Sequence, residues 1–230
     1  SHERFGFCAS KLTVIPNGFD LDAFRPAPAA RGGLRSELDL SADALLVGRV
    51  GRFDPQKDHR TFVEAAPRIA AVTGQVYFVM AGSGIDWHNT ELVHWINDSG
   101  IRDRFKLLGN REDVPRLNAA LDLAVSSSCG EGFPNVVGEA MACGVACVVT
   151  DVGDSSRIVG ATGRVVPPAD PRALADACVD LLAMPALARR ELGLEARKRI
   201  EERYNLPRVA RCYENLYSEV LLDVRNRRLH

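Results

Sequence analysis

Apolar residues in this chain come in short β-branched runs, and helix-patterned stretches follow most of them. The run LTVI at 12–15 predicts a first strand, stopped by Pro16, Asn17 and Gly18. Pro26, Pro28, Gly32 and Gly33 then predict a loop. LLVGRVGR at 45–52 predicts a strong strand. A helix follows from about Asp58, with Phe62, Ala65, Ala66 and Ile69 on one face. Further strands are expected at 76–82, 104–109, 121–128, 145–150 and 163–168. Helices are expected around 92–96, at 114–120 and at 135–144. Pro171 opens another helix at its first turn, where a missing N–H costs nothing. From there the pattern is helical to the end, with breaks at Pro185 and Pro207.

Strands that alternate with helices and are apolar along their whole length describe a parallel sheet covered on both faces. The expected fold is therefore a doubly wound, Rossmann-like α/β sheet in one domain over 1–230. The core would take about 11–205, with a C-terminal helix over about 206–230. No linker, repeat or low-complexity segment interrupts it. In such folds ligands sit beyond the carboxyl ends of the strands, so the loops after each strand carry the functional expectations.

Composition narrows the classes. Of the 230 residues, 46% are hydrophobic and 26% charged, an ordinary globular balance, and the formal net charge of −1 argues against nucleic acid as a partner. No apolar run approaches a membrane span, and SHERFGF lacks a signal-peptide layout. The expected setting is a reducing cytoplasm, with peripheral contact at the inner face of the membrane, through the basic tail RNRRLH, as the second option. The six cysteines have neither zinc-ribbon nor CxxC spacing, and most are expected to be buried structural thiols. The five histidines form no metal pair, and His88 and His94 are expected on a solvated face.

Three loops carry candidate chemistry. In GRFDPQKD at 51–58, Arg52 ends a strand and Lys57 stands just before a helix. Two cations beside a helix N-terminus suit a diphosphate, while solvated loop residues are the plain alternative. In CGEGFPNVVGEAMACG at 129–144, Glu131 and Glu139 are separated by seven residues, and Gly132-Phe133-Pro134-Asn135 opens a helix. Glu139 lies four residues beyond Asn135 and shares its face. The two carboxylates suit a hydroxylated ligand with a phosphate between its rings, or else are a dipole-stabilised helix Glu and a surface Glu. In LLGNREDV at 107–114, the backbone near Asn110 and Arg111 could meet a planar base, and Asp113 could cap the next helix. AGSG at 81–84 lacks the rest of a dinucleotide fingerprint and is read as tight-turn glycines.

In their order along the chain, VIPNGFD, GRFDPQKD, AGSG, LLGNREDV, EGFPNVVGEAMACG and VVTDVGD resemble glycosyltransferase family 4, over nearly the whole length. The resemblance implies a retaining enzyme of the GT-B fold, with two Rossmann-like halves across a cleft, of which this chain is the C-terminal, donor-binding half. It implies a UDP-, GDP- or ADP-linked sugar as donor, with no metal and no other cofactor. Arg52 and Lys57 would hold the diphosphate and Glu131 the donor sugar, and these three are the catalytic candidates. Glu139 would hold the ribose, the loop at Asn110 and Arg111 the base, and Gly51 would also belong to the donor-binding residues. Backbone groups from Gly132 through Phe133, Pro134, Asn135 and Val136 would meet sugar and phosphate. An N-terminal acceptor-binding half would be missing here, leaving Leu216 and Val220 of the last helix partly exposed. Polysaccharide or glycolipid synthesis is the expected context. Three other readings are weaker. A non-catalytic module is disfavoured because Arg52, Lys57, Glu131 and Glu139 all stand together, and a nicotinamide oxidoreductase because its fingerprint is incomplete. Half of a nucleotide-sugar epimerase is a minor option.

Overall fold

A computed structural model describes Cys8 and residues 12–227. Six strands form one parallel sheet in the order β3-β2-β1-β4-β5-β6. They are β1 (Leu45–Val50), β2 (Val76–Ala81), β3 (Phe105–Leu107), β4 (Leu123–Ser126), β5 (Cys147–Thr150) and β6 (Gly163–Val166). The chain builds one half outward from β1 through β2 to β3, then returns to the other side of β1 and builds β4 to β6. The strand order therefore reverses between β1 and β4, and the carboxyl ends of these two strands are where sheets of this kind form their ligand crevice.

Side chains alternate across the sheet, and each face has its own core. Val47, Phe78, Met80, Leu123, Val125 and Val148 face α2 (His59–Thr73), α3 (Thr90–Asp98) and α7 (Pro171–Ala183). Leu46, Val79, Ala124, Cys147 and Val149 share the other core with α1 (Pro28–Glu37), α4 (Val114–Ala120), α5 (Asn135–Ala142), α6 (Ser155–Val159) and α8 (Ala186–Arg203). Every one of these strand residues is under a tenth exposed, which explains the unbroken apolar runs. The helix α2 buries Phe62, Ala65, Ala66 and Ile69, the face expected from its period.

Three sequence expectations are corrected, and one element was unforeseen. Residues 12–15 form no strand. The segment is instead held by Phe19, whose N–H donates to the Tyr204 carbonyl at 2.8 Å and whose carbonyl accepts from Leu206 at 3.0 Å. The expected loop at Pro26 to Gly33 is largely α1. Pro28 starts it, and burial of Ala30, Leu34 and Arg35 outweighs the helix cost of Gly32 and Gly33. The expected breaks at Pro185 and Pro207 are present, between α7 and α8 and between α8 and α9 (Leu206–Arg227), and Pro207 lies in the first turn of α9, where its missing N–H is harmless. The helix α6 was not anticipated, because five residues are too few to show a period. Cys143, Cys147 and Cys178 are buried thiols, whereas Cys8, Cys129 and Cys212 are exposed, so only half fit the expectation. Gly82 and Gly84 both have positive φ, as tight-turn glycines should.

Candidate donor-binding site

The loops after β1 and β4 meet at the strand-order reversal. Asp54 caps a single helical turn, Pro55–Lys57, by accepting from Gln56 N–H. Asp58 then takes the left-handed conformation, φ 45°, and caps α2 by accepting from Thr61 N–H. These two caps hold Lys57 between the turn and the helix. Its Nζ lies 2.6 Å from Glu131 Oε1, in the loop after β4. Ser128 Oγ donates to the same carboxylate oxygen at 2.7 Å. The pair is largely shielded, with side chains 17% and 9% exposed, so its attraction is poorly screened. One of the three Lys57 N–H donors goes to Glu131, which leaves donors for an anion in the crevice.

A buried layer supports this pair. Arg49 ends nearly dry in β1, donating from Nε to Ser127 Oγ at 3.0 Å and from Nη2 to the Lys57 carbonyl. Burial lowers its pKa to about 10, against the attraction of Glu131 and Asp58, so it stays charged at neutral pH. Ser127 Oγ in turn donates to the Asp58 carbonyl at 2.7 Å. His59 Nε2 stands 2.9 Å from the Arg52 carbonyl, which fixes Nε2 as the protonated nitrogen and leaves buried Nδ1 without a partner. Burial, with Arg49 nearby, lowers His59 to about 3, so the ring is neutral. The sequence reading missed Arg49, His59, Ser127 and Ser128. A charged residue inside the apolar run LLVGRV was the available signal for Arg49.

The Glu131 loop rests on the turn after β5. Gly153 has φ 55°, and a Cβ there would come within 2.4 Å of the Glu131 carbonyl oxygen. The N–H of Asp154 donates to the Gly132 carbonyl at 2.9 Å. The N-cap of α5 is Pro134, which offers no side-chain acceptor, so the first N–H groups from Asn135 and Val136 stay available beside Glu131. The Phe133 ring packs with Phe19 at 6.0 Å and Tyr204 at 5.7 Å between centroids. Its side chain therefore anchors the loop. Gly138 lies on the face that meets Phe19, whose ring occupies the space a Cβ would need.

Glu139, one turn into α5, opens onto a separate cavity of about 330 Å³ lined by Asn17, Asp20, Asn135 and Tyr213. Asn17 Nδ2 donates to Asn135 Oδ1 at 2.9 Å, tying the PNG turn to the start of α5. Burial raises the Glu139 pKa, with no cation to offset it.

The structure does not bring every predicted residue together. Arg52 is two residues past the strand, its side chain 62% exposed and paired with Asp54 at 3.0 Å rather than with Glu131. Gly51 N–H continues the ladder to the Ala81 carbonyl. Asn110 is exposed. The Arg111 side chain is bound by Asp113 at 2.7 Å and Glu37 at 2.6 Å. Asp113 stands at the N-cap of α4 but makes no cap hydrogen bond, because Arg111 and Arg116 take its oxygens. That pairing holds its carboxyl far below the usual carboxylate range. His88 and His94 are solvated, as expected.

Comparison with known proteins gives the family. Residues 44–184, which include Lys57, Glu131 and Glu139, match the family described as glycosyl transferases group 1. The chain is 34% identical over 152 residues to the UDP-Gal:alpha-D-GlcNAc-diphosphoundecaprenol alpha-1,3-galactosyltransferase of Escherichia coli, covering 65% of this chain and 39% of that protein. It is 32% identical over 223 residues to the lipopolysaccharide core biosynthesis mannosyltransferase LpcC of Rhizobium leguminosarum, covering 93% of this chain and 61% of that protein. The chain thus spans about half the length of the curated relatives it matches. Among solved structures, HepE of Anabaena in complex with UDP and glucose superposes with a TM-score of 0.84 at 27% identity, over 94% of this chain and 59% of that one. A Rossmann-like sheet of the GT-B type and a matching family model over more than half its length lead to one conclusion: the chain belongs to the group 1 glycosyltransferases.

Proposed function

We propose that this chain is the nucleotide-sugar-binding half of a retaining glycosyltransferase that moves a hexose-type sugar from a nucleoside diphospho-sugar to an acceptor. The observation that carries the reading is the Lys57–Glu131 pair at the strand-order reversal, beside the uncapped start of α5. Lys57 and Arg52 take the diphosphate and offset charge as it develops on the leaving phosphate. Arg52 reaches it by exchanging Asp54 for a phosphate oxygen, which its exposure permits. Glu131, held between Lys57 and Ser128, accepts from donor-sugar hydroxyls. Glu139 accepts from ribose hydroxyls. The loop at Asn110 contributes backbone to the base, with the Arg111 side chain engaged elsewhere. That a solved neighbour carries UDP and glucose supports this reading.

The acceptor half lies outside the chain. The face of α9 that bears Tyr217, Val220 and Leu221, each more than half exposed, is proposed to pack on that half.

Titration calorimetry with UDP, GDP, ADP and their sugars tests the reading. Binding of one nucleotide is expected, weakened at least tenfold by both Lys57→Ala and Glu139→Ala. A folded chain that binds none of them, alone or in the full-length protein, would overturn it.

A further inference from the structure

A second charged centre lies at the other end of the sheet. Asp122 immediately precedes β4, so it sits at the amino ends of the strands, away from Lys57 and Glu131. Its carboxylate, 5% exposed, accepts from Arg31, from Arg35 Nη2 at 2.6 Å and from Leu46 N–H at 2.8 Å. Arg189 Nη2 approaches it to 3.7 Å. Arg35 is largely explained by structure, since beside the bond to Asp122 three more of its five donors meet the Ala44, Arg31 and Ala120 carbonyls.

The other guanidiniums are not. Arg189 is nine-tenths buried, yet only its Nη1 is used in short hydrogen bonds, to the Leu182 and Met184 carbonyls at 3.1 Å. Arg190 forms no ion pair among the described residues and is exposed. Arg31, Arg189 and Arg190 all line a cavity of about 360 Å³, in which Asp122 is the only acidic lining residue. With Arg35 behind it, the site sets four guanidiniums against one carboxylate. The helices α1 and α8 both start at this cavity, with Ala27 and Pro185 as N-caps that supply no side-chain acceptor. Two unanswered helix N-termini and an excess of guanidinium charge favour the same ligand, a multiply charged anion. The apolar walls, including Pro26, Leu121 and Leu194, suit the organic part of such a molecule.

We propose that this cavity binds a small phosphomonoester, at a site separate from the donor crevice and independent of the reading given for that crevice. Arg31, Arg189 and Arg190 would take the phosphate, and Asp122 would keep Arg31 and Arg189 oriented. The probes are inorganic phosphate, glucose 6-phosphate and glucose, titrated into isotope-labelled protein with backbone amide shifts as the readout. Both phosphates are expected to shift the amides of Gly144, Val145 and Ala186 saturably, and glucose to leave them unmoved. The double variant Arg31→Gln/Arg190→Gln should weaken glucose 6-phosphate at least tenfold, and Arg190→Gln alone should weaken it with melting temperature retained, since Arg190 is exposed and forms no ion pair among the described residues. Lys57→Ala should leave this affinity unchanged. Shifts confined to residues 51–58 and 131–136 would overturn the proposal. So would an affinity indifferent to the double variant, or an absence of saturable shifts.

Discussion

At the scale of single residues, Lys57 answers two anions, Glu131 and the proposed diphosphate. Replacing it with alanine removes a charge-assisted contact of about 1.5–3 kcal/mol, so nucleotide affinity should fall roughly tenfold to a hundredfold by calorimetry. Glu139 is a half-buried carboxylate with a raised pKa and no cation partner. Its folded-state proton affinity exceeds that of the unfolded chain, so the charged form weakens the fold as pH rises through that pKa. Glu139→Gln is therefore expected to raise the melting temperature at pH 8, a gain that shrinks at pH 5, while nucleotide binding weakens. His59 works in the other direction. Its pKa is about 3 when folded, below the unfolded value near 6.5, so only the unfolded chain takes up the proton between them. Stability should fall by up to about 1.4 kcal/mol for each pH unit on acidifying through that window. Denaturant unfolding of His59→Gln should show a shallower acid loss; an unchanged slope would rule out His59 as its source.

At the scale of elements, the Glu131 loop is set by the turn after β5 as much as by its own residues. Gly153→Ala would place a Cβ against the Glu131 carbonyl at a left-handed backbone position. The expected cost is about 1–3 kcal/mol in urea unfolding, with nucleotide affinity falling too because the carboxylate moves off Lys57. A variant that loses stability but keeps full affinity would show that the loop is positioned independently. The helix α5 was legible from its sequence, and so was its placement after a strand. That Phe133 serves as an aromatic anchor was not legible, because its partners Phe19 and Tyr204 are remote in sequence. The helix α1 was missed for a related reason: two prolines and two glycines outweigh its apolar positions locally, and only packing against the sheet reverses the balance.

At the scale of the whole molecule, α9 leaves Tyr213, Tyr217, Val220, Leu221 and Leu222 in solvent. If this face covers a second half, the isolated chain should self-associate in sedimentation at high concentration. Val220→Glu/Leu221→Glu should abolish that with little change in stability, since exposed substitutions usually cost less than about 0.5 kcal/mol. Monomeric behaviour of the unsubstituted chain at all concentrations would count against the proposed packing. The two charged centres occupy opposite ends of one sheet, the donor crevice at the carboxyl ends and the Asp122 cavity at the amino ends.

The sequence by itself determined the class of fold, because alternation of apolar runs with helical periods leaves a covered parallel sheet as the physical solution. It also marked Lys57 and Glu131, since charged residues in loops after apolar strands stand out locally, and Glu139, one turn into the helix that follows. Only the tertiary structure decided which of them meet. The return of the chain from β3 to β4, beside β1, brings residues 74 positions apart within 2.6 Å, while Arg52 and Arg111 turn to nearer carboxylates. Strand order, the buried support of Arg49 and His59, and the gathering of Arg31, Arg35 and Arg189 on Asp122 depend on contacts between distant segments. Local periodicity carries no information about them.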